Sequence, residues 1–86
     1  MADLTVNIVY ADEQVWSGQA SLVFARTRVG EIGIMAGHQP MLGTLSAGEV
    51  RITAVDGGRV VANAEDGFIS VENNTVTIAA RAAALA

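Results

Sequence analysis

Gly48-Glu49-Val50-Arg51-Ile52-Thr53-Ala54-Val55-Asp56-Gly57-Gly58-Arg59-Val60-Val61-Ala62-Asn63-Ala64 decides the fold class. Val50, Ile52 and Ala54 oppose Glu49, Arg51 and Thr53, because successive side chains of a strand point to opposite faces. Asp56-Gly57-Gly58 supplies a tight turn, and Arg59 to Ala64 returns as the second strand of a hairpin. The same period of two extends from Leu4 to Ala79. Leu4, Val6, Ile8 and Tyr10 alternate with Thr5 and Asn7, and Leu22, Phe24 and Arg26 alternate with Ser21, Val23 and Ala25. A second hairpin runs from Phe68 to Glu72, turns at Asn73-Asn74 and returns from Thr75 to Ala79, asparagine being the non-glycine residue that best tolerates a left-handed turn. No tandem repeat or linker divides the chain.

Short strands joined by hairpin turns, with no helical periodicity between them, predict an all-β fold: an antiparallel two-sheet β-sandwich of about ten short strands. The expected organisation is one sandwich domain over residues 1–79 and an alanine-rich tail over 80–86. Ala79 to Ala86 is the only segment with helical composition, and it is too short to nucleate a helix by itself in water.

A hydrophobic fraction of 51% against 16% charged residues excludes disorder, and no apolar run is long enough to span a bilayer. The formal net charge is -4, and Arg26, Arg28, Arg51, Arg59 and Arg81 are scattered, so no basic stripe exists to meet nucleic acid. Without cysteine there is neither a disulfide framework nor a thiolate metal site. Met1 leads into a strand pattern with no signal or transit peptide, so a cytosolic chain is expected.

Candidate function concentrates in Gly30-Glu31-Ile32-Gly33-Ile34-Met35-Ala36-Gly37-His38-Gln39-Pro40-Met41-Leu42, which holds the only histidine and the only proline. Glycine admits positive φ, and Pro40 fixes its own φ while holding Gln39 extended, so the segment reads as a stiff, shaped loop exposing Glu31 and His38. A metal or general-base role for His38 lacks companions, because there is no second histidine and Glu31 is the only nearby carboxylate. A structural histidine bonded to backbone is the expectation. Gly30, Gly33 and Gly37 match neither a dinucleotide nor a Walker loop. Glu65 and Asp66 are strand neighbours that point to opposite faces and do not flank a substrate. Asn73-Asn74-Thr75 fits a glycosylation acceptor, but a tight turn explains it. Trp16, before Ser17-Gly18, is expected in the core, and the core is expected to claim three of the four aromatics.

Leu4-Thr5-Val6, Trp16-Ser17-Gly18, Gly30-Glu31-Ile32-Gly33-Ile34, Gly37-His38-Gln39-Pro40-Met41-Leu42, Gly48 with Val50-Arg51-Ile52, Gly67-Phe68-Ile69-Ser70-Val71 and Asn74-Thr75-Val76-Thr77-Ile78 together resemble, in order and spacing, the amino-terminal β-sandwich domain of the epsilon subunits of F-type ATP synthases. The chain departs from that pattern at Ala36, where the family usually has proline, and at Asp66, where it often has a second glycine. Members normally continue into a carboxy-terminal helical hairpin, so the tail over 80–86 is expected to be the start of that hairpin in a truncated chain.

The resemblance implies a non-catalytic rotor subunit, needing no cofactor or metal, that couples the gamma subunit to the c ring during ATP synthesis driven by proton passage. It implies c-ring contact through Glu31, Ile32 and Gly33. It places His38, Gln39, Pro40, Met41 and Leu42 at the gamma and ring junction. The implied location is the cytoplasmic face of a bacterial plasma membrane, peripheral and held through the complex. The rival reading is a free-standing β-sandwich that binds a peptide or carbohydrate, which should display exposed aromatics.

Overall fold

The computed structural model describes residues 3–10, 13–46, 48–80 and 82–85, with the backbone alone for Glu65 and 82–85. The described residues form nine strands: β1 (Leu4–Tyr10), β2 (Glu13–Thr27), β3 (Gly30–Ile34), β4 (Met41–Thr44), β5 (Gly48–Ala54), β6 (Arg59–Glu65), β7 (Phe68–Glu72), β8 (Thr75–Ala80) and β9 (Ala82–Leu85). Hydrogen bonding runs in the order β4-β7-β8-β1-β2-β5-β6-β9, with β3 beside β2. The 15-residue β2 belongs to both layers. Its first half pairs with β1 from Glu13 to Ala20, and its second half pairs with β5 and with β3. The path folds over at β2, giving one layer of β4, β7, β8, β1 and early β2, and another of β3, late β2, β5, β6 and β9.

Alternation decides which side chains lie between the layers. Leu4, Val6, Ile8, Ile69, Val71, Val76 and Ile78 of the first layer meet Val23, Ala25, Ile34, Val50, Ile52, Ala62 and Ala64 of the second, all essentially inaccessible to water. Interdigitated aliphatic side chains at near-crystalline density make such a sandwich resist deformation. Beyond β4, Leu45 bridges Thr27, and its N–H donates to the Gly67 carbonyl at 2.9 Å, joining the layers along one side.

Both hairpin turns form as expected. Gly57 takes φ 91°, and the Asp56 carboxylate accepts the Gly58 N–H at 2.8 Å. Asn73 and Asn74 take φ 49° and 60°, the paired positive values of a type I′ turn. Asp66 stands at φ 51°, a left-handed position suited to glycine, which accounts for the alternation of residue types noted there.

Three expectations need correction. The described part of the tail is strand, not helix: Ala80 closes β8, and Ala82–Leu85 is β9, paired antiparallel with β6 from Ala62↔Leu85 to Glu65↔Ala82, while residues 81 and 86 lie outside the described residues. An open sheet edge satisfies the backbone of so short a segment better than an unsupported helical turn. Pairing is antiparallel except between β1 and β8, which run parallel with Thr5 beside Thr75. Local turn signals cannot reveal a ladder between residues so far apart in sequence. The core claims no aromatic: Trp16 is half-buried against it, Phe24 is half-buried on the outer face, and Tyr10 and Phe68 are 40% and 48% exposed. On β2 the phase containing Val23 and Ala25 turns inward, sending Phe24 out.

Candidate functional site

Two of the loop glycines, Gly30 and Gly37, have a local reason in their positive φ. Thr27 Oγ1 donates to the Gly30 carbonyl at 2.8 Å and accepts the Val29 N–H at 3.3 Å, closing the β2–β3 hairpin with Gly30 at φ 130° and Val29 at its exposed tip. After β3, the His38 N–H donates to the Met35 carbonyl at 3.1 Å, and Gly37 takes φ 88°. That is a type II turn with Ala36 at its second position. Proline is favoured there because it fixes in advance the φ that the turn needs. Ala36→Pro should therefore raise unfolding stability by about 0.4–1 kcal/mol, measured by urea denaturation. An unchanged or lowered midpoint would contradict the turn assignment.

Glu31 lies opposite Arg26 across β2 and β3, and its Oε1 accepts from an Arg26 guanidinium nitrogen at 3.1 Å. The two side chains stay 50% and 59% exposed, so the pair contributes at most about 1 kcal/mol and chiefly fixes the carboxylate's direction. Strand alternation separates the three residues assigned to the c ring. Glu31 and Gly33 are exposed on the outer face of the second layer, whereas Ile32 turns in against the core. A Cβ at Gly33 would stand 3.9 Å from Leu22 and Phe24, so nothing there demands glycine.

Ile32 instead meets the other segment. A shallow hollow of about 320 Å³ between the β2–β3 hairpin and β4 is walled by Val29, Ile32, Met41, Leu42 and Gly43. The structure thus brings the Ile32 and Met41-Leu42 segments together at one edge, a meeting that strand periodicity alone could not show. Met35 and Leu42 are 63% and 73% exposed, and Met41 packs partly against the core. Gln39 and Pro40 are exposed and His38 is half-buried. Leu42 faces out on the same side as Phe68, since Thr44 pairs with Phe68 and Leu42 with Ser70.

The His38 ring follows the structural reading. Its Nδ1 lies 2.7 Å from the Gln39 carbonyl, a contact that requires Nδ1–H to donate. The hollow walled by Phe24 and Arg51, the one walled by Val29 and Leu42 and the one walled by Ser70 and Thr77 all exclude His38. Among the described residues no group of three histidine, aspartate or glutamate side chains converges as a metal site requires. The surface can offer shape, apolar contact and a directed carboxylate to another protein. One contact escaped sequence reasoning altogether: the Gly37 N–H donates to Asn74 Oδ1 at 2.7 Å, across the β7–β8 turn.

The described residues thus form a two-layer sandwich whose exposed edge carries the turns at Gly30 and Gly37. The chain belongs to the family of the ATP synthase Delta/Epsilon chain β-sandwich domain, whose model matches residues 3–86. The ATP synthase epsilon chain of Streptomyces coelicolor is 52% identical over 84 residues, spanning 98% of this chain and 68% of that relative. That of Rhodococcus erythropolis is 53% identical over 87 residues, covering 100% and 71%. That of Micrococcus luteus is 53% identical over 85 residues, covering 99% of this chain and 93% of its own length. Among solved structures, a chain of the Euglena gracilis mitochondrial ATP synthase superposes with a TM-score of 0.91 at 23% identity, over 99% of this chain and 54% of that one. A chain of the Tetrahymena thermophila mitochondrial ATP synthase central stalk and c ring gives 0.72 at 19% identity, over 93% and 64%. At those identities the superpositions establish the fold.

Proposed function

We propose that the chain is a non-catalytic central-stalk subunit of a proton-translocating F-type ATP synthase, joining the gamma subunit to the c ring so that torque reaches the catalytic head. The observation that carries this reading is membership of the epsilon-chain family together with an exposed edge on a sandwich built to resist bending. In this reading Glu31 and Gly33 face the c ring, with Arg26 holding the carboxylate outward. Such rim charges set register and encounter more than affinity. His38, Gln39, Pro40, Met41 and Leu42 face the gamma and ring junction, where Ile32, Met35 and Leu42 supply apolar contact. The chain then sits at the cytoplasmic face of a bacterial plasma membrane, peripheral and held by its partners. No helix among the described residues is long and apolar enough to cross a bilayer.

Exposed Tyr10 and Phe68 are the feature expected of the rival carbohydrate- or peptide-binding module, yet neither walls any of the hollows described above. The test is reconstitution of a bacterial F-type enzyme depleted of its epsilon subunit. Adding the chain should restore ATP-driven proton pumping in inverted vesicles. Hydrolysis that stays uncoupled, with the chain absent from the washed complex, would contradict the assignment.

A further inference from the structure

The segment 35–40 carries almost no packing of its own: Met35, Ala36, Gly37, Gln39 and Pro40 are all exposed. Two of its hydrogen bonds are internal, from the His38 N–H to Met35 and from the His38 ring to Gln39. Among the described residues, the one hydrogen bond tying it to another element is the 2.7 Å contact from the Gly37 N–H to Asn74 Oδ1. Asn74 is itself anchored, because its carbonyl accepts the Thr5 N–H at 2.8 Å at the start of the central strand β1. Its φ of 60° is one that glycine adopts as readily, so the turn itself requires no side-chain oxygen at this position.

We infer that Asn74 is the positioning residue of the partner-binding edge, strapping the Gly37 turn to the sandwich so that His38 to Leu42 meets the gamma subunit in one orientation. The inference rests on the functional reading above, and it deepens that reading by adding a residue from a distant turn that makes no partner contact itself. An exposed loop held by one strap samples other arrangements when the strap is cut, and binding must then re-order it. The side-chain oxygen is the active feature, so aspartate, which keeps an acceptor and tolerates positive φ, should substitute. Glycine, which keeps the φ and loses the acceptor, should not.

The experiment compares wild type, Asn74→Gly and Asn74→Asp as full chains in two measurements: amide exchange by NMR, and affinity for purified gamma subunit. In Asn74→Gly the Gly37 amide should exchange about tenfold faster or more, while the Thr5 amide, bonded to the backbone of residue 74, keeps its rate and reports an intact turn. Gamma affinity should fall about fivefold to tenfold in Asn74→Gly and return to within about twofold in Asn74→Asp. Unchanged Gly37 exchange in Asn74→Gly overturns the strap. Faster exchange with undiminished affinity overturns its positioning role and leaves the rotor reading intact. A wild-type chain that does not bind gamma overturns the inference through the reading on which it rests.

Discussion

Gly67→Ala should unfold or nearly unfold the domain. A Cβ at that position would lie 1.9 Å from the Ala79 carbonyl oxygen and 2.5 Å from Ala80 Cα, and both obstacles are backbone. No rotamer change can relieve the overlap, so β7 and β8 must separate exactly where Phe68 pairs with Ala79. The Gly67 carbonyl also accepts the Leu45 N–H at 2.9 Å, so the displacement reaches the closure between the layers. A loss above about 3 kcal/mol is expected, a large share of the roughly 5–15 kcal/mol available to a small domain. Gly33→Ala is the matched control. Its Cβ would make ordinary contacts at 3.9 Å with Leu22 and Phe24, so its stability should stay within about 0.5 kcal/mol of wild type. Guanidinium denaturation of the two variants decides the matter, and equal midpoints would show that β8 does not run so close to residue 67.

The second large effect concerns binding. Met35→Asp together with Leu42→Asp should abolish co-purification with the gamma subunit while leaving the fold unharmed. Both side chains are mostly exposed, at 63% and 73%, so neither supports the core, unlike Met41, which packs partly against it. The two exposed apolar side chains flank the segment from Ala36 to Met41, and exposed apolar surface is what a protein partner would cover. Two new carboxylates would lose that apolar contact and bury charge against the partner. Loss of about 3 kcal/mol corresponds to a fall in affinity of more than about a hundredfold. Circular dichroism and thermal melting of the double variant should match wild type.

Strand periodicity and turn chemistry were legible because each is a local property. Val50, Ile52, Asp56-Gly57 and Asn73-Asn74 carry their conformations within a few residues of sequence. Membership of the family was legible because glycines and apolar positions imposed by backbone geometry recur at fixed spacing. What local reading could not supply was long-range. The parallel β1–β8 ladder, β9 on the edge of β6, the hollow between Ile32 and Met41, and the Asn74 strap all join residues that only the folded topology makes neighbours. The inward phase of β2 was ambiguous for another reason: Leu22 and Phe24 are as apolar as Val23 and Ala25, and only the two-sided pairing of β2 chooses between them. The Arg26–Glu31 pair was closer to reach, since placing the turn at Arg28-Val29 sets the two residues opposite each other.

If the sandwich acts by presenting the edge containing Met35 and His38 to Leu42 to a rotor partner, titration of purified gamma subunit will separate wild type from the Met35→Asp, Leu42→Asp variant under identical conditions. Saturable binding by the wild type and none by the folded variant is the expected result. Equal binding by both would place the partner on another surface and contradict the account.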